Sequence, residues 1–151
     1  MDVQVRANGR IIAMRRVWAI GAIVWTAFIL SITLSPAQPT DGGWVRDSLA
    51  WLTERGLPAW VTYDVVEFAA NVVLFVPFGA FLALALPMRI LWPTILGLAL
   101  SLAIEFSQAV FLPARFATVS DIVANAAGAF LGAFLGASSL AIRRRRETPV
   151  R

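Results

Sequence analysis

The side chains able to do chemistry in this chain are few, and they fall in matched pairs. Glu67 and Asn71 stand four residues apart, Glu105 and Gln108 three, and Asp121 and Asn125 four, with Arg115 between the last two pairs. Residues three or four apart share one face of a helix, so each pair would point both its members the same way. Carboxylates and amides so arranged can orient a polar ligand. An Arg beside them can hold a phosphate or carboxylate through its planar fork, and a Glu there can serve as a general acid or base. Other chemistry is excluded. The chain has no Cys and no His, and all 13 of its basic residues are Arg. That removes thiol nucleophiles, His bases, Schiff-base lysines and the usual zinc ligands. No metal and no cofactor is expected.

The elements that carry these residues are membrane helices. The chain has 151 residues, of which 59% are hydrophobic and 15% charged. Its mean hydropathy is +0.75. A soluble domain averages about 45–50% apolar and about 25% charged residues, so this chain departs from that average in both directions. Four apolar runs stand out, at about 17–34, 68–86, 90–112 and 122–142. Each is close to the roughly 20 residues that a helix needs to cross the hydrocarbon core. Lipid leaves no unpaired backbone group satisfied, and no run shows the alternation of a barrel strand. The prediction is an all-α membrane protein with four transmembrane helices. The first run exceeds the roughly 7–15 apolar residues of a signal peptide, so it is read as a retained helix. Residues 1–16 and 143–151 are read as basic tails around a domain spanning 17–142.

Arginine placement sets the expected orientation. Arg6, Arg10, Arg15, Arg16, Arg89, Arg143 to Arg146 and Arg151 fall on one side of the membrane, and Arg46, Arg55 and Arg115 on the other. Both ends of the chain are therefore expected in the cytoplasm. Because the Arg residues flank apolar runs rather than forming a basic face, no nucleic-acid partner is expected. The outer connection after the first run contains Trp44, Val45, Leu49 and Leu52 on one helical face. A short interfacial helix near 44–55 follows from that spacing.

Depth brings the pairs together. Glu105 lies seven residues before the outer end of the third run, about 10 Å deep at 1.5 Å per residue, and Asn125 lies about 6 Å inward of Asp121. With Glu67 and Asn71 at the outer end of the second run, three helices contribute polar groups to the outer half of the membrane. Ionisable residues there are costly and mark functional sites by default. On the fourth run Asp121 and Asn125 continue into Gly128, Gly132 and Gly136, a small-residue stripe that lets another helix approach closely. Thr94, Gly97 and Ser101 extend the Glu105–Gln108 face in the same way. The expected assembly is a bundle with a polar cavity open to the outside, and a homo-oligomer through the glycine stripe is a further expectation. Pro77 removes one backbone hydrogen bond and frees the carbonyl of Val73.

The run Ser101-Leu-Ala-Ile-Glu105-Phe-Ser-Gln108, followed by Pro113-Ala-Arg115 and Ser120-Asp121-Ile-Val-Ala-Asn125-Ala-Ala-Gly128, resembles the VanZ-like family. So do Asn71-Val-Val-Leu-Phe75-Val-Pro77-Phe78-Gly79 and Thr33-Leu-Ser-Pro36. Many members of that family carry an acidic-Lys-x-x-His pattern at the start of the second helix. Here the matching positions hold Glu67, Phe68 and Asn71, so a mechanism needing an imidazole does not transfer. The resemblance implies a small bacterial plasma-membrane protein of the cell envelope, in a family named for low-level teicoplanin resistance. The expected ligands at Glu67, Asn71, Glu105, Gln108, Arg115, Asp121 and Asn125 are a membrane lipid head group, a lipid-linked cell-wall intermediate or a glycopeptide. Two alternatives stay open. One is an intramembrane enzyme with Glu105 as acid or base, Asp121 holding Mg²⁺ and Ser107 or Ser120 nearby. The other is a structural or partner-binding subunit, with Arg115 paired to a carboxylate and the amides bonded between helices.

Overall fold

The structure, a computed structural model, describes residues 2–35, 43–86, 89–112 and 118–147. Helix α1 runs Asp2–Thr33, α2 Gly43–Thr53, α3 Tyr63–Ala85, α4 Leu91–Phe111 and α5 Val119–Glu147. Among the described residues no strand is present. Four segments are long and apolar enough to cross a membrane: Ile11–Thr33, Tyr63–Ala85, Leu91–Phe111 and Val119–Ile142.

The helix starts differ from those read off the apolar runs, for local reasons. Helix α1 begins at Asp2, so most of the stretch expected as a basic tail is helical. No Pro interrupts it, and adding residues to an established helix costs far less than nucleating one. Helix α3 begins five residues before 68 because Thr62 caps it. Thr62 is extended (φ −89, ψ 169) and its hydroxyl accepts the Val65 amide, with Asp64 in the first turn. An Ncap oxygen and an early carboxylate both favour a helix N-terminus. Helix α5 begins at Val119 for a similar reason: the Thr118 hydroxyl accepts the Asp121 amide at 3.1 Å. It also runs past 142, through the Arg143–Arg146 run, to Glu147.

Helix α3 is the hub of the bundle, packing most extensively on α5 and then on α1. The α3–α5 seam is a backbone contact. A Cβ added at Gly128 would overlap the carbonyl of Val72, and one at Gly132 the carbonyl of Val76. At Gly136 it would stand 3.0 Å from the Ala80 carbonyl. From the other side, Gly79 lies against the Ala129 carbonyl, and Gly97 of α4 against the Ala129 side chain. The glycine stripe is therefore filled by α3 of the same chain. Small residues of this kind drive helix association where lipid supplies no hydrophobic force. Beside the seam, Ile29, Phe75, Phe78, Ile104 and Ala129 form the buried apolar cluster.

Helix α2 buries none of its residues. It leaves Trp44 and Trp51 exposed, and Trp60 beyond it is exposed too. Its end is a glycine-closed turn: Gly56 takes φ +103, the Leu57 amide donates to Leu52 and the Gly56 amide to Thr53. That is the Schellman pattern, in which a left-handed residue lets two terminal carbonyls be paired. The Arg46 guanidinium lies 4.5 Å from the Tyr63 ring centroid, tying α2 to the start of α3.

Candidate functional site

The polar pairs converge at the end of the bundle where α1 finishes and α3 and α5 begin. Each described contact there joins two helices or closes a helix end. The Asn71 amide of α3 donates to Asp121 of α5 at 2.7 Å. The Gln108 amide of α4 donates to the carbonyl of Thr33, the last residue of α1, at 2.9 Å. That carbonyl is among the four that a helix C-terminus leaves unpaired within itself. Glu105 accepts the backbone N–H of Thr118 at 2.9 Å. One turn deeper, the Asn125 amide donates to the Ser101 hydroxyl at 2.9 Å.

Glu105 has a specific place in this geometry. Thr118-Val-Ser-Asp121 has the spacing of a capping box, in which the acidic residue reaches back to the amide of the capping residue. Half of that box forms, since Thr118 accepts the Asp121 amide. The other half comes from a neighbouring helix: Glu105, not Asp121, receives the Thr118 amide. Asp121 is thereby available to Asn71. The carboxylates of α4 and α5 are coupled through one helix cap, and α3 joins them through its amide.

Burial grades inward. Asp121 and Asn71 are half-buried, while Glu105, Gln108, Asn125 and Ser101 are buried. Glu67 is exposed, one turn outward of Asn71. Arg115 lies outside the described residues. Below Ser101 and Asn125 the bundle closes on Gly97, Ala129 and Gly79, where no side chain could be added without overlap. The polar region is thus a one-ended feature, not a channel.

The residues of the catalytic alternative are placed as follows. The Ser107 hydroxyl donates to the Ala103 carbonyl at 2.7 Å, within its own helix. Ser120 is exposed on the first turn of α5. Among the described residues, no group of three or more His, Cys, Asp or Glu side chains is placed to hold a metal ion.

Two contributors were missed by reading polar pairs alone. Thr118 was findable from its Thr-x-x-Asp spacing. Trp25 was not: its indole N–H donates to the Leu74 carbonyl at 2.9 Å, next to the carbonyl that Pro77 frees. Nothing in the sequence around a tryptophan in an apolar helix marks that partner. Elsewhere, a shallow apolar groove of about 360 Å³ lies between α1 and α3, lined by Ala22, Ile23, Thr26, Ala27, Leu30 and Leu82. It contains none of the polar pairs.

No curated protein and no solved structure matches the chain. A family model does: that of VanZ/LLP1 aligns with residues 16–140, which include all four candidate spans except the first residues of α1's and the last of α5's. With most of its length matched, this chain belongs to the VanZ/LLP1 family.

Proposed function

We propose that this chain is a multi-pass protein of the bacterial plasma membrane whose outward polar end binds the head group of a membrane lipid or of a lipid-linked cell-wall intermediate. Both ends of the chain lie in the cytoplasm. The observation that supports this reading is the convergence of Asn71, Glu105 and Asp121 from three helices at one end of an otherwise closed bundle. Polar groups gathered at one membrane depth are expensive and are kept where they meet something polar. In this reading Arg115 receives the phosphate or carboxylate of the ligand. Low-level teicoplanin resistance follows if a lipoglycopeptide, or the intermediate it recognises, occupies the same site.

The test is binding by the purified chain in nanodiscs of defined lipid composition, read alongside teicoplanin susceptibility of a sensitive host. Native chain and Glu105→Gln would be compared at matched membrane levels. Gln keeps an acceptor for the Thr118 amide and removes the charge, so the variant should fold normally while losing binding and any resistance. A second reading is favoured by the same hydrogen bonds. Gln108, Glu105, Asn71 and Asn125 each have a partner inside the chain, as a structural subunit would require. If Glu105→Gln leaves binding and susceptibility unchanged, while apolar replacement lowers abundance, the structural reading stands and the ligand site is withdrawn.

A further inference from the structure

The groove between α1 and α3 is set by how the helices diverge. Its volume is about 360 Å³, and Ala22, Ile23, Thr26, Ala27 and Leu30 of α1 line it with Leu82 of α3. Helix α1 packs on α3 but hardly on α4. The Gln108 amide holds α4 to Thr33, at the end of α1. Further in, α4 turns its small face to α5, where Gly97 lies against Ala129. The groove's one hydroxyl, on Thr26, donates to the Ala22 carbonyl at 2.7 Å and is spent on its own helix. What the groove offers is therefore apolar contact.

Position and length decide what fits. Ala22, Thr26, Leu30 and Thr33 recur at intervals of four, four and three, so they share one face of α1. The groove is thus in line with the Gln108 bond at the polar cluster. From Ala22 to Leu30 the axis advances about 12 Å, and from Ala22 to Thr33 about 16 Å. One leaflet of the hydrocarbon core is about 15 Å deep, half of the full thickness. A transmembrane helix of a second copy would cross both leaflets and is about 10–12 Å thick. A lipid chain, entering from the polar end and stopping at mid-membrane, matches the groove in length, width and polarity.

We propose that this groove seats one acyl chain of the lipid whose head group meets the polar cluster. The ligand is then an amphiphile held at two points, and the site selects for chain length as well as head group. The proposal rests on the head-group reading for the identity of the lipid, but not for the seat itself.

The test is native mass spectrometry of the purified chain in a steroid detergent, which has no alkyl chain to occupy the groove. The probes are hexanoyl, myristoyl and stearoyl lysophosphatidylglycerol, which share a head group and differ in chain length. The myristoyl lipid should bind one per chain and at least about tenfold more tightly than the hexanoyl one, because affinity grows with each buried methylene. The stearoyl lipid should gain less than about threefold more, because its last carbons pass the end of the groove. Ala27→Phe and Thr26→Phe each place a ring in the groove and should bring the three lipids within about threefold of one another. Ala27 is exposed, so its variant keeps the test valid if Thr26→Phe fails to fold. Val24→Phe, at an exposed position outside the lining, should behave as the native chain. The same chain-length dependence in the native and both filled chains would overturn the seat. So would affinity that keeps climbing from myristoyl to stearoyl, as simple partitioning does, or a dimer that Ala27→Phe disrupts with no chain-length preference. Glu105→Gln reports on the head group separately: it should weaken all three lipids alike and leave their ratios. Unchanged affinities in that variant would sink the head-group reading, while the ratios still decide the seat.

Discussion

The polar side chains at the end of the bundle where α3 and α5 begin spend their hydrogen bonds on helix ends as much as on one another. Gln108 closes the last turn of α1, and Glu105 closes the first turn of α5. Both bonds serve backbone groups that a helix cannot pair for itself, on half-buried Thr33 and exposed Thr118. Leaving such a group unpaired costs about 1–3 kcal/mol. Gln108→Leu should therefore lower Tm in detergent by about 2–10 °C for a chain of this size. Gln108→Glu, similar in shape but without the donated proton when ionised, should be no better. The two substitutions at Glu105 should separate in the same assay. Glu105→Gln keeps an oxygen for the Thr118 amide and should unfold within a few degrees of the native chain, whereas Glu105→Leu removes the bond that ties α4 to the cap of α5 and should lower Tm further. Equal losses from Gln and Leu at position 105 would mean that the charge, not the cap, holds α4 to α5.

At the scale of elements, the dominant interaction is a seam made largely of backbone atoms. Gly128, Gly132 and Gly136 meet Val72, Val76 and Ala80 of α3, so the energetic content lies in how closely two helices approach. Gly132→Ala would place a methyl group on the Val76 carbonyl and should force the helices apart, costing about 1–3 kcal/mol. Gly9→Ala, with nothing within 4 Å, should leave Tm unchanged or slightly raised by better helix propensity. If both substitutions behave alike, the seam is not the structural axis described here. The stripe itself is readable from the four-residue spacing of its glycines, as are the four candidate spans and the short helix α2. What covers the stripe was not readable, because small residues permit a close approach without naming the partner. The helix starts at Tyr63 and Val119 lie a few residues before the apolar runs because hydropathy fades before the helix does, and the caps at Thr62 and Thr118 set the boundary. The polar pairs were located by type and spacing. Their partners were not, since Gln108 and Glu105 bond to backbone atoms, which no residue name announces.

For the whole molecule, everything said of an outer site depends on which way the bundle sits, and that rests on arginine asymmetry. Ten Arg residues are assigned to one side and Arg46, Arg55 and Arg115 to the other, and the positive-inside bias places the larger set in the cytoplasm. The end of the bundle bearing Glu105, Asp121 and the exposed tryptophans of α2 then faces outward. The chain has no cysteine, so single introduced cysteines report sidedness without background. Gly9→Cys, Thr148→Cys and Ser48→Cys sample the two ends of the chain and α2. Gly9 has open space around it, and Ser48 is exposed. A membrane-impermeant maleimide applied to intact spheroplasts should label the cysteine at position 48 and spare those at 9 and 148, and all three should label after lysis. The reverse pattern would put the polar cluster at the cytoplasmic surface. A lipid-linked precursor could still reach it there, before export, but an antibiotic acting from outside could not. Labelling therefore decides between two classes of ligand before any binding measurement is made. It also bears on the basic run at 143–146: on the cytoplasmic side it meets the anionic leaflet, where each Arg adds roughly 1 kcal/mol of attraction and resists inversion. Replacing Arg143 to Arg146 with Gln removes four of the ten and should give a mixed labelling pattern only if that end contributes to orientation. An unchanged pattern would assign the decision to Arg6, Arg10, Arg15 and Arg16 at the start of α1.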